Sequence, residues 1–196
     1  MKKILLIIAS AIFTLNAAAQ TQVNFNVNAG IGMANLYGKN TDGADAKFAY
    51  KVGVGMEVPF DQVWSLQTGL NFTSKGCSGD NNSKINALYL ELPVMAGARI
   101  KTANNFNVLL KAGPYFAYGV GGKTKIEVGS GEYSEDTFGD DGLKRFDAGL
   151  GCGIAFEFSQ IVLGLEGNFG LTNISDGGDD FKPKNINALF TVGYKF

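Results

Sequence analysis

Val23, Phe25, Val27, Ala29, Ile31 and Met33 alternate with Asn24, Asn26, Asn28, Gly30 and Gly32. Apolar residues two apart give an extended chain one apolar face and one polar face, so this stretch predicts a β-strand. A helix would repeat its apolar residues at three and four. The same alternation predicts strands at 22–35, 47–58, 63–75, 85–100, 105–121, 144–158, 161–173 and 185–196. The connections alternate in length. Those at 36–46, 76–84, 122–143 and 174–184 are long and rich in Gly, Asn, Asp and Ser, the turn and loop formers. Those at Pro59–Gln62, Lys101–Asn104 and Ser159–Gln160 are short. The pattern predicts an all-β fold: an eight-stranded antiparallel up-and-down transmembrane β-barrel with short periplasmic turns and long external loops.

Charge decides which face meets lipid. The apolar parity of each predicted strand, such as Phe48 to Val58 or Trp64 to Phe72, carries no charged residue. The opposite parity carries Lys51, Glu57, Lys75, Glu91, Arg99, Lys111, Arg145, Asp147, Glu157, Glu166 and Lys195, interleaved with many glycines. A charge on the lipid face at the bilayer midplane costs about 2–4 kcal/mol, so the ionic parity is expected inside. The bore of an eight-stranded barrel is just wide enough for side chains to fill. Lys51, Glu57, Glu91, Arg99, Lys111, Asp147, Glu157, Glu166 and Lys195 are therefore expected to form a paired charge network that plugs the lumen.

A soluble barrel with the apolar face inward is the competing arrangement. Its exterior would be mostly glycine with few Lys or Glu, which water solvates poorly. Aromatics such as Tyr50, Trp64, Phe106, Tyr118, Phe146 and Phe158 fall near strand ends, where interfacial girdles sit. Both observations favour the membrane. Composition narrows the function further. Seventeen Lys and Arg against eighteen Asp and Glu leave a net charge of −1, which argues against a nucleic-acid partner. The chain contains no histidine, the usual proton-transfer residue near neutral pH. No catalytic residue, cofactor or metal is therefore expected, and a non-enzymatic protein is the expectation.

The first residues read as an address. Lys2 and Lys3 precede the apolar run Ile4–Leu15, and Ala17-Ala18-Ala19 supplies small residues before a cut at Gln20. This is the pattern of a cleavable secretory signal over residues 1–19, leaving a barrel domain over 20–196. The run is too short for a spanning helix, which needs about 20 residues.

Tyr89-Leu-Glu-Leu-Pro93, Gly113-Pro-Tyr115, Phe146-Asp-Ala-Gly-Leu-Gly151 and Gly170-Leu-Thr-Asn-Ile174 resemble the small PorT-type outer-membrane β-barrel family of Bacteroidota. The resemblance spans nearly the whole chain after residue 19. It implies a bacterial outer-membrane location and this fold, and it carries no activity. The bilayer, the barrel-assembly machinery and other envelope proteins are the implied partners. Tyr194 and the terminal Phe196 resemble the strand signal that this machinery reads.

Ala117–Thr124 matches a relaxed phosphate-loop pattern, but no helical sequence follows to hold a phosphate. Asp176, Asp179 and Asp180 offer hard oxygen ligands and are weak candidates for calcium. Cys77 is expected in the second external loop and Cys152 on the lipid parity, a poor geometry for a bridge. Pro93 and Pro114 fall inside strands, where proline cannot donate to the ladder, and predict a bulge or kink. The expected role is structural or partner-binding, with a narrow porin-like channel for ions or small solutes as the alternative.

Overall fold

The computed structural model describes residues 23–196 except 42, 80–82, 104, 129–130, 140–141 and 176–180. Residues 1–19, expected to be an export signal, and the calcium candidates Asp176, Asp179 and Asp180 lie outside the described residues. The strands are β1 (Asn24–Lys39), β2 (Ala44–Asp45), β3 (Lys47–Pro59), β4 (Trp64–Gly79) and β5 (Lys84–Ala103). They continue with β6 (Phe106–Val128), β7 (Gly131–Asp136), β8 (Phe146–Phe158), β9 (Ile161–Gly170) and β10 (Lys182–Lys195). Each long strand pairs antiparallel with its neighbour in sequence, and β1 pairs with β10. The β4–β5 pairing completes the ring, so β1, β3, β4, β5, β6, β8, β9 and β10 close an eight-stranded barrel. Closure matters because lipid offers no hydrogen bonds to an open sheet edge.

The period-two alternation becomes two surfaces. Ile31, Val52, Val54, Leu150 and Leu165 project outward and are more than half exposed, while Lys51, Glu57, Asn71, Glu91, Asp147 and Glu157 are buried in the bore. Aromatics mark the borders of the apolar band. Phe25, Trp64, Phe106, Phe158 and Tyr194 lie toward the short turns, and Phe48, Tyr118 and Phe146 toward the long loops. Phe106 packs on Phe158 with ring centroids 4.9 Å apart.

Beyond the band the strands outrun the expectation. β4 continues to Gly79, so Cys77 sits on a strand and is buried, not in a loop. β6 continues to Val128 and β7 pairs back on it, inside what reads as the long loop 122–143. The short β2 pairs with the end of β4. Outside the bilayer both faces of a strand meet polar surroundings, so Lys123-Thr-Lys-Ile126 carries no clean alternation to signal it. Gly76 and Gly122 stand where β4 and β6 leave the band, at φ of +118° and +139°, a backbone conformation that glycine adopts without a Cβ penalty.

Candidate functional site

The bore is the site, and its charges settle into three separate layers rather than one network. Nearest the long loops, Lys75 of β4 pairs with Glu91 of the neighbouring β5 at 2.8 Å and reaches across the bore to Asp147 of β8 at 3.1 Å. Its ammonium also lies 4.0 Å from the ring centre of Tyr115 and 5.4 Å from that of Tyr89, a cation–π arrangement in a site shut off from water. Asp147 accepts further hydrogen bonds from Asn185 Nδ2 at 3.0 Å, Thr172 Oγ1 at 2.9 Å and the Tyr115 hydroxyl at 3.3 Å. These side chains are fully or almost fully buried: Lys75 is 1% exposed, Asp147 0%, Tyr89 0% and Tyr115 0%.

Lys75 falls on the inward parity, yet it lies outside the nine residues the sequence analysis selects for the network. It is the centre of this layer. The signal was available: an inward lysine level with two inward carboxylates needs only strand register to bring them together. Lys75 pairs with Ala87 of β5, a small neighbour that leaves room for a long side chain to cross the bore.

In the middle layer Lys51 of β3 and Lys111 of β6 share the carboxylate of Glu166 on β9, with Lys111 Nζ at 2.6 Å. β8 lies between β6 and β9, and Gly153 stands in register with both Lys111 and Glu166. A Cβ there would lie 3.1 Å from Lys111 Cε and 3.2 Å from Glu166 Cγ, so the missing side chain is what lets the pair meet over the strand. Asn168, the next inward position of β9 after Glu166, donates Nδ2 to Glu91 Oε1 at 3.3 Å.

Nearest the short turns, Arg99 grips Glu157 in a two-point contact, Nε to Oε2 at 2.7 Å and Nη2 to Oε1 at 3.0 Å. Arg99 also pairs with Glu57 at 2.6 Å, and Lys195 joins both glutamates at 2.9 and 3.2 Å. The layers thus hold one cation with two carboxylates, two cations with one, and two with two. They sum to zero, as a desolvated bore requires. Arg99 and Lys195 keep 15% and 20% of their side-chain surface, whereas Lys75 keeps 1%. A cavity of about 90 Å³ sits in the bore from the middle layer toward the short turns.

The long-loop end carries a lid. Phe138 packs edge-on against Tyr89, with centroids 5.3 Å apart, and its ring fills the space that a side chain at Gly119 would need. Arg145 lies over the other side of Phe138 at 5.5 Å and donates Nη1 to the Gly119 carbonyl at 2.9 Å. Arg145, inward by parity, thus serves the lid rather than the bore. Thr137 is buried and donates to the Asn86 carbonyl at 3.0 Å. A second apolar cluster of Leu36, Cys77 and Ile174 lies beside it, with Leu143 against both. The lid was not legible in the sequence, because Thr137-Phe138 sits in a Gly- and Asp-rich stretch with no periodicity.

Tyr194 and Phe196 lie at the short-turn end, Phe196 the more exposed, with ring centroids 5.4 Å apart. Ala117–Thr124 lies in β6 with no helix after it. Cys152 points outward from β8, and both cysteines are free thiols.

Residues 18–176 match the model of a family described as outer membrane protein beta-barrel domain. Among solved structures, the outer membrane enzyme PagL is similar at a TM-score of 0.51 and 15% identity, covering 87% of this chain and 98% of that one. The attachment invasion locus protein Ail of Yersinia pestis, in complex with the heparin analogue sucrose octasulfate, is similar at 0.46 and 15%, covering 89% and 99%. The outer membrane protein OprG from Pseudomonas aeruginosa is similar at 0.46 and 10%, covering 89% and 95%. At these identities the likeness is one of fold. No curated protein matches the chain.

Proposed function

Because the chain belongs to the outer membrane protein beta-barrel domain family, we propose that it is a non-conducting, non-enzymatic barrel with a structural or partner-binding role in the envelope. One observation carries this reading: the bore is shut at its long-loop end. Lys75, Tyr89, Tyr115 and Asp147 fill the cross-section with 0–1% exposure each, and Phe138 closes over them. A channel would need its polar groups hydrated along a continuous path, and here the ammonium at the constriction is held by carboxylates and ring faces instead. The buried groups form ion pairs and hydrogen bonds with one another, which is the arrangement of a stabilised core rather than of an acid–base pair open to substrate.

In this reading residues 1–19 are a cleaved export signal and the short turns face the periplasm. The assembly machinery meets the aromatic side chains of Tyr194 and Phe196, and the closer kinship is with PorT-type barrels. Partners meet the long-loop end, where β6 and β7 project past the apolar band. Recording from pure protein in planar bilayers tests the reading. The expected result is a flat baseline. Steady unitary current steps would replace it with the narrow-channel alternative.

A further inference from the structure

Six of the eight barrel seams pair residue by residue over their described length. The two seams of β5 do not. Its register with β4 runs from Trp64–Ala98 to Thr68–Val94 and resumes at Asn71–Glu91, skipping Gly69, Leu70, Leu92 and Pro93. Its register with β6 shifts at Leu88/Tyr89 and Lys101/Ala103, toward the ends of the strand, and mid-band it skips Val94 and Met95 against Gly113 and Pro114. The cause of the two mid-band skips is chemical. Neither proline has an N–H to give to the neighbouring strand. Thr68 Oγ1 donates to the Pro93 carbonyl at 2.7 Å, a side chain standing in where a backbone group would pair. Both proline skips lie mid-band, where a backbone group left unpaired against hydrocarbon is costly.

The cavity lies directly behind this seam, and Thr68, Gly69 and Pro93 form part of its wall. Gly69 puts no side chain between cavity and seam. Met95, Leu109 and Ala155 make an apolar strip on this side of the cavity. Opposite stand amide side chains, among them Asn28, whose buried Oδ1 has no hydrogen-bond partner within the protein.

We propose that the β4–β5 seam is a lateral portal through which an uncharged single-chain amphiphile of the bilayer places its hydroxyl head in the bore. The apolar strip takes the first methylenes, and Asn28 Oδ1 accepts from the hydroxyl. The tail stays outside along Leu70, Leu90 and Leu92. Charge selects the class: the three layers already sum to zero, so an ionised head would bring in a charge without a counterpart. The cavity holds a head and a few methylenes, not a diacyl lipid.

The test uses full-length protein in phospholipid nanodiscs with a long-chain alcohol carrying a diazirine beside its hydroxyl. Photolysis is followed by peptide mass spectrometry. Adducts are expected on the inward residues Met95 and Leu109. In a Cys77→Ala, Cys152→Ala background, Leu70→Cys with Leu92→Cys bridges the unpaired stretch. Oxidation should remove the inward adducts, reductant should restore them, and outward adducts on Leu90 should persist in both states. The reduced form shows that the variant folds. Pro93→Val, which returns an N–H to the ladder, should lower inward labelling without any bridge. The matched fatty acid should label outward residues only. Inward adducts that survive the bridge would mean entry by the short-turn mouth and would overturn the portal. Their absence from the unaltered protein would overturn it as well, and equal inward labelling by the fatty acid would overturn the uncharged class.

Discussion

Lys75 shows how much rests on single side chains in a bore this narrow. Among the described residues its ammonium is the one cation shared by Glu91 and Asp147, and all three side chains are at most 3% exposed. Removing one partner of a buried ion pair leaves charge stranded where water cannot reach it, a loss of about 3–5 kcal/mol. Lys75→Met keeps the length and apolar stem and deletes only the charge. It should lower the stability of the vesicle-embedded barrel by about that amount, read as a shift in the urea unfolding midpoint. Adding Glu91→Gln and Asp147→Asn to the same chain should recover part of the loss, since neutral amides restore hydrogen bonding without the unpaired charges. A midpoint that does not move on Lys75→Met would mean that the pairs with Glu91 and Asp147 add nothing to the stability of the barrel.

At the scale of elements, the short turn between β3 and β4 is held by one carboxylate. Asp61 Oδ1 accepts from the backbone N–H groups of Val63 and Trp64, both at 2.7 Å. Those bonds favour the ionised form and hold the Asp61 carboxyl below its ordinary value of 3.8. The sign follows from that direction. A lowered value in the fold means the turn is fully stabilised above about 3.8 and loses that support as pH falls through the lower folded value. The Val63 and Trp64 amide resonances should titrate with a midpoint below 3.8, and Asp61→Asn should abolish the titration while keeping an acceptor. A midpoint at or above 3.8 would mean that the two bonds do not form in the membrane. This turn and its two counterparts were legible from spacing, as were the strands within the band, because lipid on one side and packed charge on the other impose a strict period of two. The strand extensions were not. Past Phe72 and Tyr118 the hydrocarbon no longer sorts the faces, so β4 and β6 run on where the sequence reads as loop. The inward charges were legible one by one from parity. Their division into three layers was not, because it depends on which strands lie across the bore from one another.

For the molecule as a whole, the two closures at the long-loop end act in series, and a current through resistances in series is limited by the larger. Phe138→Ala removes the ring from its seat at Gly119 and loosens the lid, yet Lys75, Tyr89 and Tyr115 still fill the bore beneath. Lys75→Ala opens that layer, yet the Phe138 ring still covers Tyr89 above it. Each single variant should therefore remain silent in planar bilayers, and only the double variant should give current steps. With Lys75 gone, Glu91 and Asp147 stand unneutralised at the constriction, so the steps should favour cations and shrink when Asp147→Asn is added. Resistance to proteolysis in vesicles separates a folded silent variant from an unfolded one. Steps from Phe138→Ala alone would place the whole seal in the lid and reduce the Lys75 layer to a stabilising core. Steps from Lys75→Ala alone would mean that the lid opens on its own.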